Sequence, residues 1–141
     1  MNAPGKSIKK VLIVEDDKFI RTLVQNRLSD LHYEVDAVGD GISALDYLQK
    51  NKPDIIFLDV IVPGLSGFEI LHTIRSQPEL KARFKDTPVA IVSNLAQDSD
   101  IKTGYDLGAN AYFVKKNALP EAFIEQIIEY MKNPVSLSPK K

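Results

Sequence analysis

Apolar residues along this chain fall into five short runs, separated by longer stretches with a helical beat. The runs are Val11–Val14 (VLIV), Tyr33–Val38 (YEVDAV), Asp54–Leu58 (DIIFL), Val89–Val92 (VAIV) and Ala111–Val114 (AYFV). Three are continuous rather than alternating, which predicts strands buried on both faces. Between them, Phe19, Ile20, Leu23, Val24, Arg27, Leu28 and Leu31 recur at i, i+3, i+4 spacing. So do Ile42, Leu45 and Leu48, then Phe68, Leu71 and Ile74, and last Leu119, Phe123, Ile127, Ile128 and Met131. Asp98–Leu107 is a weaker helix, with Ile101 and Tyr105 on one face and Gly108 as its stop.

Local signals agree with this frame. Asp17 stands where a helix N-cap is wanted. Ser66 and Glu69 have capping-box spacing, and Pro120 falls in a first helical turn, where its missing N–H costs nothing. Strand and helix alternate five times. Parallel strands joined by short helical crossovers of one hand predict a doubly wound (βα)5 fold, a five-stranded parallel sheet with helices on both faces. Residues 8–132 form the expected folded body. Met1–Ser7 and Asn133–Lys141, rich in Pro, Ser and Lys, read as flexible tails.

Composition narrows the function classes. The chain has 141 residues, a length for one domain. Without cysteine it has no disulfide framework, thiolate metal site or thiol nucleophile. With 18 basic and 19 acidic residues it lacks the charge of a strongly basic nucleic-acid binder. No apolar run approaches the ~18 residues of a membrane span. The expectation is a soluble, cytoplasmic domain with no membrane or direct DNA contact.

Polar chemistry gathers where the predicted strands end, the edge at which open α/β sheets bind ligands. Glu15, Asp16 and Asp17 follow the first strand, Asp59 the third, Ser93 and Asn94 the fourth, Lys115 and Lys116 the fifth. Singly, each has a bland explanation. Asp17 caps a helix, Asp59 opens a turn, Ser93 is a loop hydroxyl, and Lys115 runs its stem along the surface. His32 and His72 have no partner at ligand spacing. Together the residues are harder to dismiss, because clustered carboxylates repel one another unless a cation sits among them. An oxygen-rich site with few ligands suits Mg²⁺, and a lysine and a hydroxyl opposite it suit a phosphoryl group. The residues therefore point to a Mg²⁺-assisted phosphoryl site with a carboxylate nucleophile.

The stretches VLIVEDD (Val11–Asp17), IIFLDVIVPGLSG (Ile55–Gly67), VAIVSN (Val89–Asn94) and AYFVKK (Ala111–Lys116) resemble the receiver domain of two-component response regulators, of the stand-alone kind. No one stretch is specific, but the ordered set at these spacings is. It covers roughly Lys9 to Lys132. The resemblance implies a flavodoxin-like fold and phosphorylation of Asp59 from the phosphohistidine of a histidine kinase or histidine phosphotransfer protein. It implies Mg²⁺ held by Asp16, Asp59 and the Ile61 carbonyl, with Glu15 completing the pocket through water. It also assigns Ser93 and Lys115 to the phosphoryl oxygens, and makes Tyr112 an aromatic switch that moves inward as Ser93 closes. The implied output surface is the fourth helix, fifth strand and fifth helix, about Asp98–Lys132, with homodimerisation through it left open. Self-phosphotransfer and autodephosphorylation would be the only chemistry; the protein would not be an enzyme in the ordinary sense.

The sequence departs from the family pattern in places. Asn94 stands where a small residue is usual, which narrows access to Asp59. Lys116 stands where a cis Pro is common, and without Pro a cis bond costs about 3–4 kcal/mol. Ile61 and Leu95, two beyond Asp59 and Ser93, are apolar and predict slow autodephosphorylation. The connector Arg75–Pro88 is longer than usual and basic, and is expected to extend the third helix or form a solvated loop. Three other readings compete with this one. An aspartate-nucleophile phosphatase wants Asp where Ile61 stands. A nucleotide or flavin domain wants a Gly-rich loop after Val14, where three acids stand. A receiver-like module that binds partners without phosphorylation would not need the intact acidic set.

Overall fold

The computed structural model describes residues 7–115 and 120–135. The strands are β1 (Lys10–Val14), β2 (Glu34–Val38), β3 (Ile55–Leu58), β4 (Val89–Ser93) and β5 (Ala111–Val114). The helices are α1 (Lys18–Asp30), α2 (Gly41–Lys50), α3 (Gly67–Ser76), α4 (Pro78–Arg83), α5 (Asp98–Asp106) and α6 (Pro120–Lys132). All strand pairs are parallel, in the order β2-β1-β3-β4-β5. This is the doubly wound (βα)5, flavodoxin-like fold expected from the sequence.

The two-residue period of a strand divides the core. Val11, Ile13, Ile55, Phe57, Ala90 and Val92 face α1 and α6, meeting Val24, Leu28, Phe123, Ile127 and Met131. Leu12, Val14, Ile56, Leu58, Val89 and Ile91 face the opposite layer, meeting Leu48 of α2, Ile70, Leu71 and Ile74 of α3, and Leu80 of α4. β3 buries all four of its residues, which is why it reads as an unbroken apolar run. Each fully buried side chain of this size contributes about 1.5–3 kcal/mol.

Caps fall where the sequence places them. Asp17 accepts the Ile20 N–H at the start of α1. Ser66 and Glu69 close a complete capping box on α3, and Gly108 follows α5 with φ +107°. Leu119 and Lys116, with the expected irregular geometry after Lys115, lie outside the described residues, as do 1–6 and 136–141 of the expected tails.

The connector Arg75–Pro88 corrects the expectation. It neither extends α3 unbroken nor forms a solvated loop throughout. A break at Gln77 is followed by the separate helix α4, which buries Leu80 and, just beyond it, Phe84. Its two arginines are used internally, while Lys81 and Lys85 are exposed. Arg83 donates to the carbonyls of Leu48, Gln49 and Asn51, satisfying the open end of α2. Arg75 donates to the carbonyls of Gly108, Phe84 and Thr87 and to Asn110 Oδ1. Among the described residues no helix is long and apolar enough to cross a membrane.

Candidate functional site

β1 sits between β2 and β3, and the chain leaves its carboxyl end on one side while returning from β3 on the other. That reversal opens a crevice at the strand ends. Two main-chain bonds prolong the sheet into it. The Glu15 N–H donates to the Val38 carbonyl at 3.0 Å, and the Asp59 N–H donates to the Val14 carbonyl at 3.0 Å. Glu15 and Asp59 are thereby set side by side on rigid backbone.

Below Asp59 the fit is close. The Gly67 N–H donates to the Val60 carbonyl, and a Cβ on Gly67 would lie 2.2 Å from the Asp59 carbonyl oxygen. Only glycine lets α3 begin this near the acceptor strand. The Ile61 N–H donates to Asp59 Oδ1 at 3.2 Å, while the Ile61 side chain is exposed.

Lys115 enters from the end of β5. Its N–H donates to the Ser93 carbonyl, and its Nζ lies 2.6 Å from Glu15 Oε1 and 2.9 Å from Asp59 Oδ2. The Lys115, Glu15 and Asp59 side chains are only 7 %, 7 % and 10 % exposed. Burial pushes the Glu15 carboxyl above its ordinary range, more strongly than the Lys115 ammonium pulls it back. Burial also works to lower the Lys115 pKa, but Glu15 and Asp59 together outweigh it and hold the ammonium above the usual lysine value.

Asp16 is exposed, and carboxylate oxygens of Glu15, Asp16 and Asp59 lie within 4.8 Å of one another. One ammonium against three carboxylates leaves the cluster short of positive charge. The donors are hard oxygens and Asp16 opens the site to solvent, so the set fits a hard divalent cation.

Ser93 and Tyr112 form a second group beside this one. Ser93 is fully buried, and its Oγ accepts the Leu95 N–H at 3.2 Å. The Tyr112 hydroxyl donates to the Leu95 carbonyl at 2.7 Å. Burial, with the charges of Asp100 and Asp59 adding to it, pushes the Tyr112 phenol up to about 12. Its ring lies against Gly104, where a Cβ would come within 2.9 Å of it. Leu95 thus touches both Ser93 and Tyr112 through its backbone.

The structure therefore brings together Glu15, Asp16, Asp59 and Lys115 directly, with Ser93 joined to Lys115 through the main chain. Asp17 stays outside as a cap, and His32, His72 and Asn94 are exposed. Sequence reasoning passed over Gly67, Gly104 and Arg21. The two glycines carried a signal, since Gly67 stands at the start of α3 and Gly104 lies inside α5.

Comparison with known proteins agrees with this geometry. Residues 11–128 match the response regulator receiver domain. The chain is 34 % identical over 128 residues to a protein named probable transcriptional regulator ycf27 of Cyanophora paradoxa, covering 89 % of this chain and 51 % of that one. It is 34 % identical over 112 residues to the response regulator MprA of a Mycobacterium species (strain KMS), covering 79 % of this chain and 46 % of that protein. The chain thus spans about half the length of the curated relatives it matches. Among solved structures, the phosphorylated cyanobacterial phytochrome response regulator RcpA superposes with a TM-score of 0.78 at 32 % identity, over 94 % of this chain and 99 % of that one. Chemotaxis response regulator CheY4 of Vibrio cholerae gives 0.76 at 31 % identity, over 88 % and 98 %. The Mn²⁺-bound form of response regulator Rcp1 gives 0.77 at 26 %, over 94 % and 99 %. This chain belongs to the response regulator receiver family, the signalling modules of two-component systems.

Proposed function

We propose that Asp59 accepts a phosphoryl group from the phosphohistidine of a histidine kinase or histidine phosphotransfer protein, in a Mg²⁺-dependent reaction. The observation that carries this reading is the buried Lys115 ammonium bridging Asp59 and Glu15 beside an exposed Asp16. Asp16, Asp59 and the Ile61 carbonyl would hold Mg²⁺, with Glu15 assisting through water. The ion supplies charge neutralisation for the phosphoryl oxygens. That a Mn²⁺-bound form of the neighbour Rcp1 exists supports the use of a divalent ion.

An Asp59 carboxylate oxygen forms a bond to phosphorus as the histidine N–P bond breaks. The N–P electron pair stays on the imidazole, which takes a proton from solvent. Lys115 stays paired with the site and meets the new phosphoryl charge, and the Ser93 hydroxyl donates to a phosphoryl oxygen. The donor must seat its histidine over the crevice. Phe19, Ile42 and Ile61, exposed by 69 %, 65 % and 60 %, stand on the segments that follow β1, β2 and β3 and offer it an apolar rim.

The phosphorylated aspartate carries more charge and more acceptor oxygens than the carboxylate. Ser93 and its loop satisfy it, and Leu95 links Ser93 to Tyr112. The resulting shift reaches the α5-β5-α6 face, which we assign as the surface for a downstream protein. That is the face numbered from the fourth helix in the sequence reading; the short α4 moves the count by one. The receiver itself makes no DNA contact in this reading.

Incubation with acetyl phosphate, with and without Mg²⁺, tests the proposal by intact mass. Wild type is expected to gain one phosphoryl group only with Mg²⁺, and Asp59→Ala to gain none. Equal labelling of Asp59→Ala would assign the phosphate elsewhere, and binding of partners irrespective of labelling would favour a phosphorylation-independent module.

A further inference from the structure

Asp16 is the exposed member of the acidic cluster, and among the described residues no donor reaches its carboxylate. Its position therefore depends on how the β1–α1 loop is held. Arg21, half-buried on the first turn of α1, reaches back to that loop. Its Nη1 donates to the Glu15 carbonyl at 2.9 Å and to the Asp16 carbonyl at 3.2 Å. No other donor among the described residues reaches either carbonyl. Gly39, at the end of β2, faces the same guanidinium. A Cβ there would lie 2.8 Å from Arg21 Nη1 and 3.4 Å from Cζ.

We infer that Arg21 is the positioning residue of the cation site, holding the loop that presents Asp16 by two successive carbonyls, and that Gly39 provides the room the guanidinium needs to do so. This rests on the cation site proposed above. Arg21 touches neither the ion nor the phosphoryl group. It acts by keeping the Asp16 backbone from swinging outward, which spares the ion the cost of ordering the loop on binding. Loss of such a supporting contact typically weakens a metal site roughly 10–100-fold.

Gly39 separates positioning from folding. Nη1 is the free end of a flexible side chain, so a methyl at position 39 moves it at little cost to the fold. Gly39 also has no left-handed backbone angle to defend. Stability and cation binding should then part company.

The test compares wild type, Gly39→Ala, Arg21→Gln, Arg21→Lys and the double variant Gly39→Ala/Arg21→Gln. Mg²⁺ affinity is read by calorimetric titration, urea unfolding is followed without metal, and backbone order at residues 15–17 is read by NMR relaxation in the metal-free protein. Gly39→Ala should bind Mg²⁺ roughly 10-fold more weakly while unfolding at nearly the wild-type urea concentration. Arg21→Gln should weaken it at least as far, Arg21→Lys should recover part of the loss, and the double variant should match Arg21→Gln alone. Wild-type Mg²⁺ affinity in Gly39→Ala, or additive losses in the double variant, would overturn the inference. The relaxation measurement is independent of metal. A loop as ordered in Arg21→Gln as in wild type refutes positioning, whereas absence of Mg²⁺ binding in wild type itself refutes the cation site and leaves the loop result to decide the role of Arg21.

Discussion

Replacing Lys115 by Met removes the ammonium and keeps most of the stem. The loss can be sized from its surroundings. Nζ bonds Glu15 at 2.6 Å and Asp59 at 2.9 Å, and all three side chains are at most 10 % exposed. An exposed pair such as Lys102–Asp106 contributes only about 0.2–1 kcal/mol. Removing one partner of a buried pair costs about 3–5 kcal/mol, because uncompensated charge stays inside. For a chain of this size that corresponds to roughly 10–15 °C in melting temperature.

The sign of the pH dependence follows from Glu15. Burial already sets its carboxyl above the ordinary value of 4.5, and without Lys115 it rises further. A carboxyl raised in the folded state takes up its proton before the unfolded one does. Stability is therefore lost as pH rises through the raised pKa and returns on acidification toward the ordinary value. Urea unfolding of Lys115→Met, followed by circular dichroism at about pH 7.5 and about pH 5.5, should show a smaller deficit at the lower pH. Adding Mg²⁺ at neutral pH should stabilise the variant more than wild type. A neutral-pH loss below about 1 kcal/mol, or a deficit that deepens on acidification, would refute the argument.

Other parts of the structure make equally direct predictions. In Gly67→Ala the new methyl meets only backbone, at 2.2 Å from the Asp59 carbonyl oxygen and 2.8 Å from Val60 Cα. It should lose about 1–3 kcal/mol in urea unfolding and label more slowly with acetyl phosphate; stability at or above wild type contradicts the packing account. Tyr112 and Tyr130 are each pushed up to about 12, chiefly by burial. An alkaline absorbance titration should show ionisation well above the ordinary value of 10.0, with one fewer late tyrosine in Tyr112→Phe, and a single step near that value rejects the burial of both. Stability should fall above that ordinary value, where the unfolded chain gives up these protons first. Ile61 is exposed and Leu95 packs against the core, and neither side chain can orient an attacking water. Phospho-Asp59 should therefore be long-lived and shortened in Ile61→Asn, while decay within seconds in wild type opposes this.

The strands and the acids at their ends were legible because one physical rule wrote both. Strands buried on two faces must be continuous in apolar residues, so VLIV, DIIFL and VAIV stand out, and the first polar residue after each marks the strand end that opens on the crevice. The caps at Asp17, Ser66 and Gly108 were legible because they are local. Helix α4 was not, since six residues with one buried leucine carry too little periodicity to be told from a solvated loop. Arg83 looked like surface charge because its acceptors, Leu48, Gln49 and Asn51, are more than thirty residues away, as are two of the four that Arg75 reaches. The same holds within the site. That Glu15, Asp59 and Lys115 share an edge follows from topology, but that one ammonium bridges both carboxylates depends on side-chain packing. The neighbours of Gly39 and Gly67 are likewise set by tertiary approach.

The central claim concerns a covalent bond on one carboxylate, and borohydride trapping reads that bond. An acyl phosphate is reduced to an alcohol, whereas a free carboxylate and a phosphate ester on a hydroxyl are not. Protein labelled with acetyl phosphate and Mg²⁺, reduced and digested, should yield homoserine in place of Asp59 in the peptide spanning Ile55–Gly67. An unreduced Asp59, with the phosphate retained on Ser93 or another residue, would contradict the account.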